Sequence, residues 1–184
     1  MKTKEDILNA ISQDHWMMNI LYTAKELQLQ DWCVCAGFVR SKVWDEIHGY
    51  SVRTPLPDVD VIYYNDKNLA VDAEKELEHK LYSIHPSVPW SVKNQARMHL
   101  KNNSEPYKSS KDAISKFPET ATAVGVKLDD ANNLILIAPL GIEDLINCRV
   151  RPTPTFNNTD KMHMFNNRVK NKRWHDKWRR VNYN

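Results

Sequence analysis

Ile7, Ile11, Met18, Leu21 and Ala24 are spaced by three, four or seven residues, with polar Asn9, Ser12 and Gln13 between them. That spacing marks one face of a helix, predicted to end near Gln28. Trp32-Cys33-Val34-Cys35-Ala36 is a short apolar run bounded by Asp31 and Gly37, the pattern of a buried strand. Val43, Trp44 and Ile47 place a short helix over Val39–His48, closed by Gly49. Two prolines make Ser51–Pro57 a loop, and the β-branched and aromatic content of Asp58–Tyr64 predicts a strand.

Leu69, Ala73, Leu77 and Leu81 fall four apart and predict a second helix over Asn68–Ile84. After Pro86 and Pro89, Trp90–Lys93 reads as a third strand, and Asn94–Lys101 as a helical turn. Ser109–Phe117 is a short helix stopped by Pro118. Thr120–Leu128 and Leu134–Ala138 flank a polar turn at residues 129–133, which predicts an antiparallel hairpin. Ile142–Asn147 gives one or two helical turns, and a basic helix is predicted over Asp160–Val181. The resulting fold class is mixed α/β (α+β), a small, partly antiparallel sheet with flanking helices.

The chain has 184 residues, enough for one core, and its 41% hydrophobic and 27% charged residues exclude wholesale disorder. Only 4 glycines and no Ser/Gly-rich run exclude a glycine-rich phosphate loop of the P-loop kind. No apolar run approaches the roughly 20 residues of a bilayer span. Met1-Lys2-Thr3-Lys4-Glu5-Asp6 runs straight into acids and an amphipathic pattern, which is not a secretory signal, and 3 cysteines do not make a disulfide framework. A soluble, cytoplasmic protein with no membrane partner is expected.

The net charge of +3 hides an asymmetry: residues 168–180 carry +6, leaving −3 for the rest. A basic C-terminus on an acidic body fits an RNA or other polyanion contact, and equally a solvated terminal helix. Trp174 and Trp178 within it are placed to dock that helix on the body, so 153–184 is expected to pack on a domain spanning 1–152.

Asp58 and Asp60 open a predicted strand. Side chains alternate along a strand, so both carboxylates leave the same face, roughly 6–7 Å apart along the chain. Two adjacent acids raise each other's proton affinity unless a cation lies between them. Mg²⁺ commonly takes one or two carboxylates plus substrate phosphates, so the pair suits one or two metals aligning a nucleoside triphosphate. The bland alternative is two acids at a solvent-exposed strand edge. Upstream, Gly37 precedes a helix start at Arg40-Ser41, where backbone N–H groups and a guanidinium suit phosphate.

Together these segments resemble the nucleotidyltransferase fold, in which a glycine turn precedes a helix and an Asp-x-Asp strand holds metals. More narrowly, the chain resembles a bacterial nucleotidyltransferase-like family. The matching residues are Ala36-Gly37-Phe38-Val39-Arg40 with Val43-Trp44-Asp45, Asp58 to Tyr63, Trp90 to His99, Thr120 to Ala123, Gly141 to Leu145, and Arg149 to Pro152. The resemblance implies a nucleotidyltransferase-like core, with Asp58 and Asp60 as catalytic metal ligands for Mg²⁺ or Mn²⁺. It also implies a nucleoside triphosphate substrate. Gly37, Arg40, Ser41, Lys93, Asn94 and Arg97 are the nucleotide-binding candidates. Asn94 also fits a helix cap, and His99 fits either a general base or a packed histidine. Arg149 and Arg151 fit either phosphate or neighbouring acids.

The chain departs from the broader superfamily in two places. Phe38 follows Gly37 where a second Gly or Ser is usual, and residues 90–93 offer Ser91 and Lys93 but no third acid. Asp144 is a possible substitute. Two functions follow: metal-dependent nucleotidyl transfer to an unassigned acceptor, or a non-catalytic nucleotide- or RNA-binding protein of the same fold. A sugar-nucleotide glycosyltransferase is disfavoured by length. Cys33 and Cys35 lack a second zinc pair and are expected in the core.

Overall fold

The computed structural model describes residues 1–183; Asn184, the last residue of the expected C-terminal extension, lies outside the described residues. The predicted first helix is two helices, α1 (Lys4–Ser12) and α2 (His15–Lys25). Asp14 makes the break. Its carboxylate accepts the Met17 N–H at 3.1 Å, as an N-cap does, and holds Arg53 at 2.7 Å. The apolar stripe survives because both helices lie on the same core.

Strand β1 (Trp32–Cys35) leads into α3 (Gly37–His48), and β2 (Val59–Tyr63) follows. Helix α4 (Val71–Ile84) then crosses to β3 (Trp90–Asn94), which runs parallel to β2 as a helical crossover requires. After α5 (Gln95–Lys101) and α6 (Ser110–Ser115), β4 (Gly125–Leu128) and β5 (Leu134–Ile137) form the predicted antiparallel hairpin. The sheet order is β3-β2-β1-β4-β5.

Register divides the sheet into two faces. Val34, Val61 and Val126 are neighbours on the face whose core includes Ile7, Leu21, Trp44 and Leu81 from the helices. Cys33, Cys35 and Ile62 share the opposite face with a smaller cluster around Ile114 and Ala123. Asp60, which pairs with Ser91 in register, belongs to this second face.

Several expected elements are shorter than predicted, three of them for reasons visible in the packing. Helix α4 begins at Val71 rather than Asn68, because the Asn65 and Asn68 carbonyls are held by the Asn94 side chain and Leu69 stays exposed. The residues expected to start the hairpin at Thr120 form a 3₁₀ turn, Thr120–Thr122. The final helix is broken into α8 (Met162–Lys172) and α9 (Trp174–Lys177) by Arg173, whose φ is +45°. After α7 (Glu143–Ile146), the break aims Trp174 at Trp44. Trp174 and Trp178 are buried, and their rings stand edge-on to Trp44 at 5.9 and 5.2 Å.

Candidate active site

Asp58 is exposed just ahead of β2, while Asp60 lies one pleat into the strand and is half-buried. Burial, and then the charge of Asp58, push the Asp60 carboxyl up to about 6. The Ser91 hydroxyl, Arg168 and Lys93 pull in the opposite direction. The loop delivering Asp58 is fixed from behind by Asp45, which accepts the Thr54 N–H at 2.8 Å, the Thr54 hydroxyl at 2.6 Å and the Trp178 indole N–H at 2.7 Å.

Beside the carboxylates, β1 turns sharply into α3. The strain of that turn is taken by Ala36, at φ +54° and ψ −115°, and not by Gly37. Ala36 offers no side-chain cap, so the first N–H groups of α3 are free to face an anion. A Cβ on Gly37 would meet only the Arg40 guanidinium, at 3.6 Å.

Arg40 is 8% exposed, and its Nε has no hydrogen-bond partner among the described residues. Its guanidinium carbon lies 5.3, 4.8 and 5.9 Å from the ring centroids of Trp44, Trp174 and Trp178. Desolvation lowers its pKa to about 10, an effect opposed by the nearby charge of Glu119. Ser41 is buried and only 3.5 Å from Arg40 Nη2, a marginal contact.

A pocket of about 210 Å³ opens beside this turn, lined by Cys35, Ala36, Asp60, Lys93, Gln95 and Arg168 among others. Gly37, Arg40 and Asp58 adjoin it in sequence or through their charges rather than lining it.

Of the remaining expected nucleotide-binding residues, Asn94 and Arg97 are engaged in other contacts, while Lys93 lines the pocket. Asn94 is buried and fully used: its amide donates to the Asn65 and Asn68 carbonyls, and its oxygen accepts the Asn65 and Ala96 N–H groups. It caps α5 and pins a loop, leaving nothing for a base or ribose. Arg97 forms a two-pronged pair with buried Glu74, at 2.7 and 2.5 Å. Glu74 and Glu78 also accept the N–H groups of Asn94 and Val92, satisfying the free edge of β3. Lys93 lines the pocket but bonds Glu78 at 3.0 Å. His99 stands edge-on to Tyr107, 6.4 Å between centroids.

Asp144 does not serve as a third acid. Burial raises its proton affinity, but Arg151, Thr120 and Arg149 outweigh it and hold the carboxyl below the usual range. Arg149 and Arg151 both pair with the neighbouring acid, Asp144. The position opposite Asp60 on β3 is Ser91, and no cluster of three or more His, Cys, Asp or Glu side chains suited to a metal occurs among the described residues. What fits a divalent cation is therefore a hard-oxygen set of two carboxylates, with the Ser91 hydroxyl beside Asp60.

Arg168, within the basic run, escapes a reading by motif, and Ser91 enters that reading only where a third acid is missing. Arg168 lies one turn after Phe165, which is buried, and that i, i+3 relation places it toward the body.

The nucleotidyltransferase family model matches residues 22–183. A structure described as "a CCA-adding enzyme head domain" is 35% identical, covering 100% of this chain and 97% of its own, with a TM-score of 0.88. The Thermotoga maritima CCA-adding enzyme complexed with tRNA matches at a TM-score of 0.55 and 15% identity, over 90% of this chain. A CCA-adding enzyme with CTP matches at 0.51 and 14%, over 80% of this chain. This chain spans 39% and 36% of those two enzymes, and at that identity they share its fold. No curated protein matches. No described helix is long and apolar enough to cross a membrane. On the span of the family match and the full-length structural match, the chain belongs to the nucleotidyltransferase family.

Proposed function

We propose that the chain transfers a nucleotidyl group from a nucleoside triphosphate to an acceptor hydroxyl at the Asp58–Asp60 edge. The supporting observation is the placement of Asp60, its carboxyl raised to about 6 beside Asp58, against a pocket that also holds the uncapped turn into α3. In the reaction the acceptor hydroxyl releases its proton to solvent, its oxygen bonds to the α-phosphorus, the bond from that phosphorus to the α,β-bridging oxygen breaks, and pyrophosphate leaves. Mg²⁺ or Mn²⁺, held by Asp58 and Asp60, would supply Lewis-acid stabilisation of the phosphoryl oxygens. The α3 N–H groups and Arg40 would add positive potential beside the carboxylates, and Lys93 adds to it at the pocket wall.

Asp58→Asn and Asp60→Asn are the direct tests. Each is expected to abolish incorporation of α-labelled nucleotide into acceptor while leaving the circular dichroism spectrum unchanged. Full turnover by either variant would remove the carboxylates from the mechanism.

A second reading is favoured by Ser91 standing where a third acid would serve as base: a nucleotide- or RNA-binding protein without turnover. Lys170, Lys172, Arg173, Lys177, Arg179 and Arg180 are all exposed and suit RNA phosphates. Both readings accommodate RNA as the partner of this strip, as acceptor in the first and as ligand in the second. RNA affinity that hardly changes between 50 and 200 mM salt would exclude contact through these cations.

A further inference from the structure

Arg168 comes from α8, remote in sequence from every motif of the site, yet it lines the same pocket as Asp60, Ala36 and Lys93. Its Nε donates to Glu119 Oε1 at 2.5 Å. Glu119 is wholly buried, and its second oxygen accepts the Thr122 hydroxyl at 2.7 Å. The carboxylate is thus fixed, and it fixes the plane of the guanidinium. Neither terminal nitrogen of Arg168 makes a hydrogen bond among the described residues, and the side chain is 38% exposed. A guanidinium clamped through Nε, with its terminal nitrogens open to a pocket, has the form of a preorganised oxyanion fork.

Its neighbours are cationic on one side and acidic on the other. Burial is the main reason the Arg40 pKa is lowered, and repulsion from Arg168 adds to it, while Arg168 favours ionisation of Asp60. An anionic ligand between the two arginines would relieve that repulsion. Arg168, Lys93 and the uncapped turn at Ala36 line the same pocket, so an extended anion there meets more than one donor.

Resting on the nucleotidyl-transfer reading above, we infer that Arg168 binds the β- and γ-phosphates of the nucleoside triphosphate, positioned by Glu119. The C-terminal segment thereby completes the nucleotide site, and Arg168 is withdrawn from the cationic strip that faces solvent. Its ligand is the triphosphate tail, independent of base.

The test uses the full chain and measures Mg²⁺-dependent binding of inorganic tripolyphosphate, the four nucleoside triphosphates and the four monophosphates. Arg168→Gln is expected to weaken tripolyphosphate and triphosphate binding at least tenfold and monophosphate binding less than twofold. Arg168→Lys keeps a charge opposite Glu119 but not the fork, and should fall between. Should Arg168→Gln unfold around the unpaired Glu119, Arg168→Gln/Glu119→Gln removes that buried charge and is expected to show the same selective loss. Wild-type binding of tripolyphosphate that all three variants retain, or an equal loss for monophosphates, overturns the role of Arg168. A folded wild type that binds no triphosphate overturns the nucleotidyl-transfer reading itself.

Discussion

The Arg40 guanidinium carbon lies 4.8 Å from the centroid of the Trp174 ring, tying the first turn of α3 to the last helix of the chain. Trp44, on the same helix as Arg40, holds both ends of this contact in place through its own packing on Trp174 and its indole bond to the Leu145 carbonyl at 3.0 Å. A cation enclosed by aromatic faces is stabilised by up to about 2 kcal/mol when desolvated. The enclosure keeps Arg40 charged and oriented where burial alone would oppose its charge.

Trp174→Ala should therefore cost about 3–5 kcal/mol in urea unfolding, the range for losing a buried tryptophan. Trp174→Phe keeps a ring over Arg40 and should lose distinctly less. If the site reading is right, triphosphate affinity should follow the same order, because Arg40 is freed to turn away in the alanine variant. Equal stability of the two variants would show that the ring at position 174 does not hold Arg40.

Arg97 presents the opposite case, an arginine whose role is in the fold. Removing it leaves Glu74, 2% exposed, without its two-pronged partner. Arg97→Ala is expected to lower unfolding free energy by about 2–4 kcal/mol, because an uncompensated buried charge is left behind. Lys93 at 4.0 Å from Glu74 moderates the loss. Triphosphate affinity, measured where the variant is folded, should stay within twofold of wild type. A tenfold loss of affinity at unchanged stability would return Arg97 to the site.

The strand-to-helix turn, the Asp-x-Asp strand and the β4–β5 hairpin were all legible, because each rests on local signals: alternation, a glycine, a polar turn. The role of Arg97 was not, and the cap that Asn94 forms was legible only as an alternative to a ligand contact. A polar run at a strand-to-helix junction looks alike whether it faces a ligand or closes a sheet edge, and only the position of Glu74 and Glu78 on α4 distinguishes these. The break at Arg173 is likewise tertiary: its left-handed backbone costs energy locally and is offset by the packing of Trp174 and Trp178 on Trp44. Arg168 was hidden by its company, since a run of cations reads as one surface until Phe165 shows which side faces inward.

Gly125 tests the second face of the sheet. A Cβ there would come within 2.9 Å of Cys33 Sγ and 3.3 Å of Cys35 Cβ, and 3.2 Å of Ile114 Cδ1. Gly125→Ala is expected to destabilise by about 1–3 kcal/mol through overpacking. Cys33→Ala in the same chain removes the nearest sulfur and should recover part of that loss, so the double-mutant cycle should show coupling of at least about 0.5 kcal/mol. Strict additivity would mean that the cysteine is not the obstacle.

Asp60 links the chemistry of the site to the stability of the chain. Its folded pKa of about 6 lies above the ordinary value of 3.8, so between those values the folded protein binds the proton more tightly than the unfolded chain. Stability contributed by the neutral carboxyl is full below pH 4 and is lost as pH rises toward 6. Asp60→Asn abolishes this dependence. Without divalent cation, the variant should match wild type near pH 4 and exceed it by on the order of 1–3 kcal/mol at pH 7.5, measured by urea unfolding. Mg²⁺ should narrow the difference at pH 7.5 by stabilising only the wild type, and should do little at pH 4, where protons displace it. A variant less stable than wild type at pH 7.5 in the absence of metal would mean that Asp60 is held as a satisfied carboxylate, and that the cation is not what the pair requires.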